Sequence, residues 1–336
     1  MKVRPYYGLI SSPSAPIAVL AALLALALAA AACAGGASAT QPRIVYEAKS
    51  LADNTTNVWT IDAKTGDSKQ LTFGKSFDGN PGWSPNHKQI IFSSDRDNAP
   101  GKDDLYAMNT DGSNVRRLTN TPDVTEWSAK YAPDGKRVAY VAAASDGYYL
   151  ALMDPDGSNQ QRVAGPYRFA EFPSWRRDGV NEVFFSAIEQ TRSDADIYSY
   201  NLDTHEVKTR ISTPAADVCP HFTHDGKTLM YASVAPGESN QDNVELFTHD
   251  LSSEDTSGAH DVRLTDDPGV DDYGNPSPDD KTIVFISNRA APAERYESDP
   301  NAPSAGNTEL YLMDRDGKSQ RPLTDTPASR ENVPDW

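Results

Sequence analysis

The feature that most constrains this 336-residue chain is a short phrase that occurs five times and is begun once more at the C-terminus. The copies read WSPNHKQIIFSS from Trp83, YAPDGKRVAYVA from Tyr131, WRRDGVNEVFFSA from Trp175, FTHDGKTLMYAS from Phe222 and PSPDDKTIVFIS from Pro276. Their first residues lie 48, 44, 47 and 54 residues apart. A repeat of this length is typical of the blades of a β-propeller.

The two ends of the chain complete one unit of the repeat. The last four residues, VPDW, reproduce only the opening of the phrase, and the matching continuation, RIVYEAKS, begins at Arg43. Propeller blades close into a ring when neighbouring sheets cover each other around an axis. The sequence therefore predicts that Val333 to Trp336 forms the innermost strand of the first blade.

Each unit contains four short runs of β-forming residues separated by turn residues. In the second unit the runs are Pro81 to Trp83, Gln89 to Ser93, Asp104 to Met108 and Val115 to Leu118. The fourth run occurs six times, around Leu71, Leu118, Val163, Ile211, Leu264 and Leu323. We therefore predict an all-β, six-bladed propeller with four antiparallel strands per blade, spanning residues 42–336.

The N-terminal residues have the pattern of an export signal. Lys2 and Arg4 precede an apolar stretch from Ile17 to Ala32, which is short for a transmembrane helix. We expect residues 1–33 to direct export. The residues before Cys33, three alanines, resemble a lipobox, which predicts that Cys33 carries a lipid anchor and that residues 34–41 form a tether.

A second processing site competes with the lipobox, because residues 37–39 read Ala-Ser-Ala, the pattern cut by an ordinary signal peptidase. Cleavage at the lipobox predicts a lipid-anchored cell-envelope protein, periplasmic or at the cell surface. Cleavage after Ala39 predicts a secreted protein. The sequence leaves both alternatives open.

The charge balance limits the classes of partner. The chain has 48 acidic and 31 basic residues, giving a formal net charge of −17. Nucleic acids and anionic membrane surfaces attract basic proteins, so we expect neither, apart from membrane attachment through a lipid anchor. The expected partner is a protein or peptide, in particular a basic one, and we expect the chain to be a monomer.

One acidic pattern follows the repeat. An acid lies five residues before each first position, with one copy displaced by one residue and one copy doubled: Asp78, Glu126, Glu171, Asp217, Asp271, Asp272 and Glu331. We place these residues in the loops that enter the innermost strands, around one mouth of the central channel. Such a ring would attract a divalent cation such as calcium, or a basic side chain. Alternatively, each acid caps its own loop by accepting backbone hydrogen bonds.

Other chemical motifs are sparse. The chain lacks the G-x-S-x-G, Walker A and G-x-G-x-x-G patterns. We expect Cys219 to be a small core or loop residue. The long segment Asn288 to Thr308, which contains Arg295 and Tyr296, lies on the same face as the acids and is either a partner-binding loop or a disordered insertion.

The repeat resembles a known family. The phrases WSPNHKQIIFSSDR, DLYAMNTDGSNVRRLT and ELYLMDRDGKSQRPLT resemble the repeat of the TolB-like six-bladed β-propellers, over residues 42–336. The resemblance implies this fold. We expect the chain to depart from true TolB, which resembles an α/β domain joined to this propeller, and from the propeller peptidases, which add a hydrolase domain.

These observations predict a non-enzymatic, exported propeller that binds a protein or peptide at the cell envelope through its acidic channel-mouth face. Two other functions remain open. One is a cation-dependent propeller hydrolase or lyase with a metal in the channel. The other is an accessory or sensor subunit of an envelope system.

Overall fold

The computed structural model describes residues 43–235, 243–290 and 307–336, which form 24 β-strands and no helix. The strands make six four-stranded antiparallel sheets arranged as a propeller, so the predicted fold class is confirmed. No helix in these ranges is long and apolar enough to span a bilayer. The predicted export signal (1–33), Cys33, the tether (34–41), Arg295 and Tyr296 lie outside the described residues and stay predictions.

Within each sheet the strands run outward from the propeller axis. The innermost strands are β24 (Ser329–Asp335), β4 (Asp78–Trp83), β8 (Thr125–Tyr131), β12 (Phe169–Trp175), β16 (Val218–Phe222) and β20 (Asp271–Pro276). The second strands are β1 (Arg43–Ser50), β5 (Gln89–Ser94), β9 (Val138–Ala144), β13 (Glu182–Ile188), β17 (Thr228–Val234) and β21 (Thr282–Ser287).

The remaining strands complete the blades. The third strands are β2 (Thr56–Asp62), β6 (Asp104–Asn109), β10 (Gly147–Met153), β14 (Asp196–Asn201), β18 (Val244–Asp250) and β22 (Glu309–Asp314). The outer strands are β3 (Ser68–Gln70), β7 (Arg116–Arg117), β11 (Gln161–Tyr167), β15 (Val207–Ile211), β19 (Val262–Arg263) and β23 (Arg321–Pro322). We number the blades one to six in chain order, with β24 and β1–β3 as blade 1.

The core lies between neighbouring blades. In the second strand of blade 2, Ile90, Ile91 and Phe92 are fully buried, because both faces of the sheet are covered by adjacent blades. Phe92 also packs against Tyr106 of the third strand, with ring centroids 5.8 Å apart. Burying each such side chain stabilises the fold by roughly 1.5–3 kcal/mol. The outer strands face solvent and are correspondingly polar, as Arg116 illustrates.

The C-terminal strand closes the ring as predicted. Strand β24 pairs antiparallel with β1, so blade 1 is built from both ends of the chain. Asp335 forms a 3.0 Å salt bridge with Lys130 of blade 3 and accepts hydrogen bonds from Asn275 of blade 6 and the Trp83 amide of blade 2. One side chain therefore ties the last strand to three other blades.

In blades 1, 2 and 4 the first position of the repeated phrase is a tryptophan that bonds the preceding blade. The indole N–H of Trp336 donates to the carbonyl of Asn275 at 2.9 Å, and Trp175 donates to the carbonyl of Lys130 at 2.9 Å. Trp83 bonds the carbonyl of Arg43 in the same way, at 3.2 Å. These three tryptophans thus connect neighbouring blades.

Every innermost strand contains a bulge at the same position. Six non-glycine residues have φ between 46° and 54° there: Asn80, Ser128, Phe172, Cys219, Tyr273 and Val333. The pairing register to the second strand shifts at this point in every blade, as at Glu171 to Ser174. This conformation costs an L-residue of order 1–3 kcal/mol. Bulges bend and twist strands. We therefore infer that these six bulges turn the innermost strands along the axis.

Candidate functional site

The candidate acids occupy two positions on the innermost strands. Most lie within strands instead of in the preceding loops, because the strands begin earlier than the sequence predicted: β4 starts at Asp78, three residues before Pro81. The acids at the first of these positions are at most 2% exposed, and we call them the joint acids: Asp78, Glu126, Asp217, Asp271 and Glu331. The next position along carries Glu171 and Asp272, which we call the mouth pair.

Two joint acids form ion pairs inside their own blades. Asp78 bonds Arg96 at 2.8 Å and accepts a hydrogen bond from the Ser94 hydroxyl at 2.6 Å. The Arg96 guanidinium also lies over the rings of Phe92 and Tyr106, 5.0 and 5.2 Å from their centroids. This arrangement buries the charge of Asp78 together with its counterion.

Blade 6 repeats this arrangement. Asp271 bonds Arg289 at 2.6 Å, and that guanidinium lies over Phe285 and Tyr311, 5.4 and 5.0 Å from the ring centroids. The sequence analysis did not single out these arginines. Their signal was a Ser-x-Arg triplet at the end of the second strand, SDR in blade 2 and SNR in blade 6.

The joint acids Glu126 and Glu331 each share a hydrogen bond with a carboxyl group of the preceding blade. Glu126 interacts with Asp104 and accepts a 2.8 Å hydrogen bond from the Thr119 hydroxyl. Glu331 interacts with Glu309 and accepts a 2.6 Å hydrogen bond from Thr326. Burial, with the neighbouring carboxylate, raises the pKa of Glu126 and of Glu331. Each pair can therefore hold a shared proton between two blades.

Asp217 caps the loop that enters blade 5. It accepts hydrogen bonds from the Thr213 amide at 2.7 Å and the Thr213 hydroxyl at 2.9 Å, and burial raises its pKa to about 6. These are the contacts that the loop-capping alternative describes. In the parts of the chain that the structure describes, no group of three or more His, Cys, Asp or Glu side chains could hold a metal ion.

The mouth pair has a different environment. Glu171 of blade 4 is half-buried and Asp272 of blade 6 is buried. Asp272 accepts a 2.6 Å hydrogen bond from the backbone N–H of Tyr273 and interacts with the Cys219 thiol. Burial, followed by the charge of Asp272, raises the pKa of Glu171 to about 8, and burial raises the pKa of Asp272 to about 6. Among the described residues, neither forms a salt bridge.

An apolar plug lies next to the mouth pair along the innermost strands. Phe172 and Tyr273 meet edge to face, with ring centroids 4.9 Å apart, although they belong to the non-adjacent blades 4 and 6. Cys219 and Val333 belong to the same buried apolar cluster. Cys219 is thus a core residue, as predicted, and burial raises the pKa of its thiol. The plug thus places apolar side chains beside the mouth pair, which limits the access of water from that side.

Three half-buried aromatic rings lie at the same end of blades 3 and 4. Trp127 and Tyr148 have ring centroids 5.6 Å apart, and Tyr148 and Phe169 are 5.2 Å apart. We call these three residues the aromatic wall. Phe169 and Glu171 are two residues apart on β12 and therefore share one side of that strand. The sequence analysis did not identify the wall, because its residues come from three strands.

Carboxyl groups are concentrated at this end of the propeller, which we call the entrance face because it bears the loops leading into the innermost strands. Among the described residues twelve acids are buried, and eleven of them lie on this side: Glu47, Asp78, Asp104, Glu126, Asp196, Asp217, Glu245, Asp271, Asp272, Glu309 and Glu331. The exception, Glu182, starts its strand at the opposite end. The entrance face therefore combines negative charge with an aromatic surface.

Comparisons with known proteins place this geometry in context. In sequence, the chain is 28% identical over 180 residues to the uncharacterized peptidase YuxL of Bacillus subtilis, covering 53% of this chain and 25% of the peptidase. The chain spans 25% to 46% of the length of four curated relatives that it matches.

Solved structures share the fold. TolB from Acinetobacter baumannii superposes with a TM-score of 0.70 at 17% identity, covering 94% of this chain and 71% of TolB. An oligogalacturonate lyase in complex with manganese superposes with a TM-score of 0.52 at 14% identity, covering 80% and 70%. The family model of the TolB beta propeller domain matches residues 46–147 and 137–305. The chain therefore belongs to the TolB beta-propeller family.

Proposed function

We propose that this protein is an exported TolB-type propeller that binds a basic segment of a protein or peptide partner through its entrance face. The observation that carries the proposal is the mouth pair: Glu171 and Asp272 directly precede Phe172 and Tyr273, whose ring centroids are 4.9 Å apart, and neither acid forms a salt bridge among the described residues. Six other buried carboxylates of the described residues, including Asp78, have an arginine. A partner's basic side chain would complete the mouth pair in the same way.

Electrostatics support a basic partner. Eleven buried carboxyl groups lie on one side of the ring, and arginines pair with five of them, Asp78, Asp104, Asp196, Glu245 and Asp271. The acids without such a counterion would favour a cationic ligand, because low-dielectric walls focus their field. Complementary charge accelerates association and disfavours acidic competitors. The entrance face also carries exposed apolar side chains, Leu51 and Phe73, in two of its loops. Loops on a rigid scaffold are common binding surfaces.

The location follows from the N-terminal sequence. We propose that residues 1–33 direct export and that Cys33 is lipidated, which leaves residues 34–41 as a tether between the membrane and the propeller. Mass spectrometry of the mature N-terminus tests this proposal. An acylated Cys33 supports it, whereas a mature chain that begins at Thr40 contradicts the lipid anchor and leaves export intact.

The binding proposal is tested with the full chain and two labelled peptides of alternating composition, lysine with glycine and glutamate with glycine. Fluorescence anisotropy should show binding of the lysine peptide, with an affinity that falls as salt is added, because exposed charges are screened. The glutamate peptide should not bind. Equal binding of both peptides, or binding of neither, would contradict the proposed function.

A further inference from the structure

We propose that the aromatic wall docks an extended segment of the partner and that one lysine or arginine of this segment is held between Glu171 and Asp272. The inference rests on the proposed function and specifies the side chain that the entrance face recognises. It assigns three aromatic residues and two acids to one binding surface at the axis.

The wall supplies the apolar part of this surface. Trp127, Tyr148 and Phe169 pack against one another and leave part of each ring uncovered at the entrance face. Aromatic rings provide large, rigid contact areas at low conformational cost, and tryptophan is the best ring for a cation–π contact. A segment lying on these rings would bury apolar surface beside the axis.

The spacing of β12 connects the wall to the acids. Residues two apart on a strand are separated by roughly 6.6 Å and point to the same side. Glu171 is therefore within reach of a long basic side chain whose backbone lies against Phe169. Asp272 approaches the same place from blade 6, since the residues that follow the two acids, Phe172 and Tyr273, are in ring contact at 4.9 Å.

The charges of the mouth pair fit one monovalent organic cation. Two like charges held close together disfavour ionisation of both, and an added cation reverses that effect. The chain supplies such a cation to Asp78 through Arg96 and to Glu245 through Arg263, at 2.8 and 2.6 Å. For Glu171 and Asp272 the described residues supply none, so the partner would provide it.

The plug determines how the segment enters. The rings of Phe172 and Tyr273 meet although their blades are not adjacent, so we expect the segment to present a single side chain from the entrance face instead of passing between these rings. Their apolar surface also keeps water away from the acids, which strengthens each charge–charge contact. A calcium ion would need about six to eight oxygen ligands, and the described residues offer no group of three acidic, histidine or cysteine side chains that could hold a metal ion.

The test uses the full chain and two probes, acetyl-Leu-Arg-Leu-amide and the same peptide with citrulline, which has the shape of arginine without its charge. We expect the arginine peptide to quench the fluorescence of Trp127 and to bind roughly tenfold more tightly than the citrulline peptide, a factor that corresponds to one charged hydrogen bond. Glu171→Gln and Asp272→Asn should each weaken binding of the arginine peptide by a similar factor. Trp127→Leu should weaken binding of both peptides.

Asp325→Asn is the matched control, because it removes one exposed charge from the same face without touching the mouth pair. It should leave both affinities unchanged. Proton release gives a second readout: the arginine peptide requires ionised Glu171, so its binding heat should differ between buffers of different ionisation enthalpy. Melting curves of all variants confirm that each is folded.

The outcomes separate this inference from the proposed function. If the lysine–glycine peptide binds the protein but Glu171→Gln and Asp272→Asn leave the affinities of both peptides unchanged, the proposed function stands and this inference is overturned. If neither the lysine–glycine nor the arginine peptide binds, both are overturned. Equal affinity for the arginine and citrulline peptides likewise overturns the recognition of charge.

Discussion

Two of the joint acids, Asp78 and Asp271, lie one residue apart from the position of the mouth pair along equivalent strands, yet their surroundings are opposite. Asp78 and Asp271 are each neutralised by an arginine that also packs on two aromatic rings. Glu171 and Asp272 have no salt bridge among the described residues, and burial, followed by the charge of Asp272, raises the pKa of Glu171. A buried carboxyl group with an arginine helps to hold the fold together, whereas the mouth pair could accept a cation from a ligand.

The largest expected effect comes from removing the strand that closes the ring. Deletion of Val333 to Trp336 removes Asp335, which contacts three other blades, and the buried Trp336. Loss of a core tryptophan alone costs about 3–5 kcal/mol, against a total stability of about 5–15 kcal/mol. We expect cooperative thermal unfolding to be lost in calorimetry. A truncated protein with an unchanged melting temperature would contradict the closure.

The next effect separates the two kinds of acid directly. Asp78→Ala leaves Arg96 without its partner in a site where Asp78 is 1% exposed, and breaking such a pair costs about 3 kcal/mol. Glu171→Ala removes an acid that has no cation among the described residues, so its cost should be far smaller. Denaturant unfolding of both variants measures the difference. Equal losses would show that the mouth pair is as structural as the joint acids.

The pH dependence should follow the raised pKa values. A carboxyl group whose folded pKa lies above its unfolded value contributes stability below the unfolded pKa and loses it as pH rises through the folded pKa. For Glu171 this window runs from 4.5 to about 8, and the raised pKa values of Glu126 and Glu331 act in the same direction. We expect the free energy of unfolding to fall across this window in urea titrations.

A variant checks the origin of that fall. Glu331→Gln keeps the shape of the side chain and cannot ionise. The free energy of unfolding of this variant should therefore fall less steeply over the same pH window. A free energy of unfolding that rises over the same window in the unmodified protein would mean that the carboxyl pairs do not share protons.

The smallest expected effect is a gain. Above about pH 8, where Glu171 is ionised, Glu171→Gln removes the charge that Asp272 repels while it preserves the shape of the side chain, so the unliganded protein should be stabilised by less than about 1 kcal/mol. Asp325→Asn, an exposed site, should change stability even less. A clear destabilisation by Glu171→Gln in thermal unfolding would indicate that Glu171 has a structural partner.

The sequence was sufficient for the fold but only partly for the site. The period of the repeat and the divided first blade predicted six blades and the closing strand, because both are properties of the order of residues. The bulges were not predictable, since the left-handed conformation falls on residues as unlike as Ser128 and Val333. The early start of β4 at Asp78 was missed in the same way.

The recurrence of acids identified both groups without separating them. Glu171 was treated as a displaced copy and Asp272 as a duplicate, but both lie four residues before the first position of their phrase, as does Trp127. Alignment by that offset would have placed all three at one structural position. The aromatic wall required the structure, because the packing of Tyr148 and Phe169 across blades depends on three-dimensional proximity.

The most direct test is an NMR titration of the Glu171 carboxyl group, assigned by comparison with Glu171→Gln, with and without acetyl-Leu-Arg-Leu-amide. The account predicts a pKa of about 8 in the free protein and a shift towards the ordinary value near 4.3 when the arginine peptide is added. An unchanged pKa in the presence of saturating peptide would contradict the claim that the mouth pair receives a partner's cation.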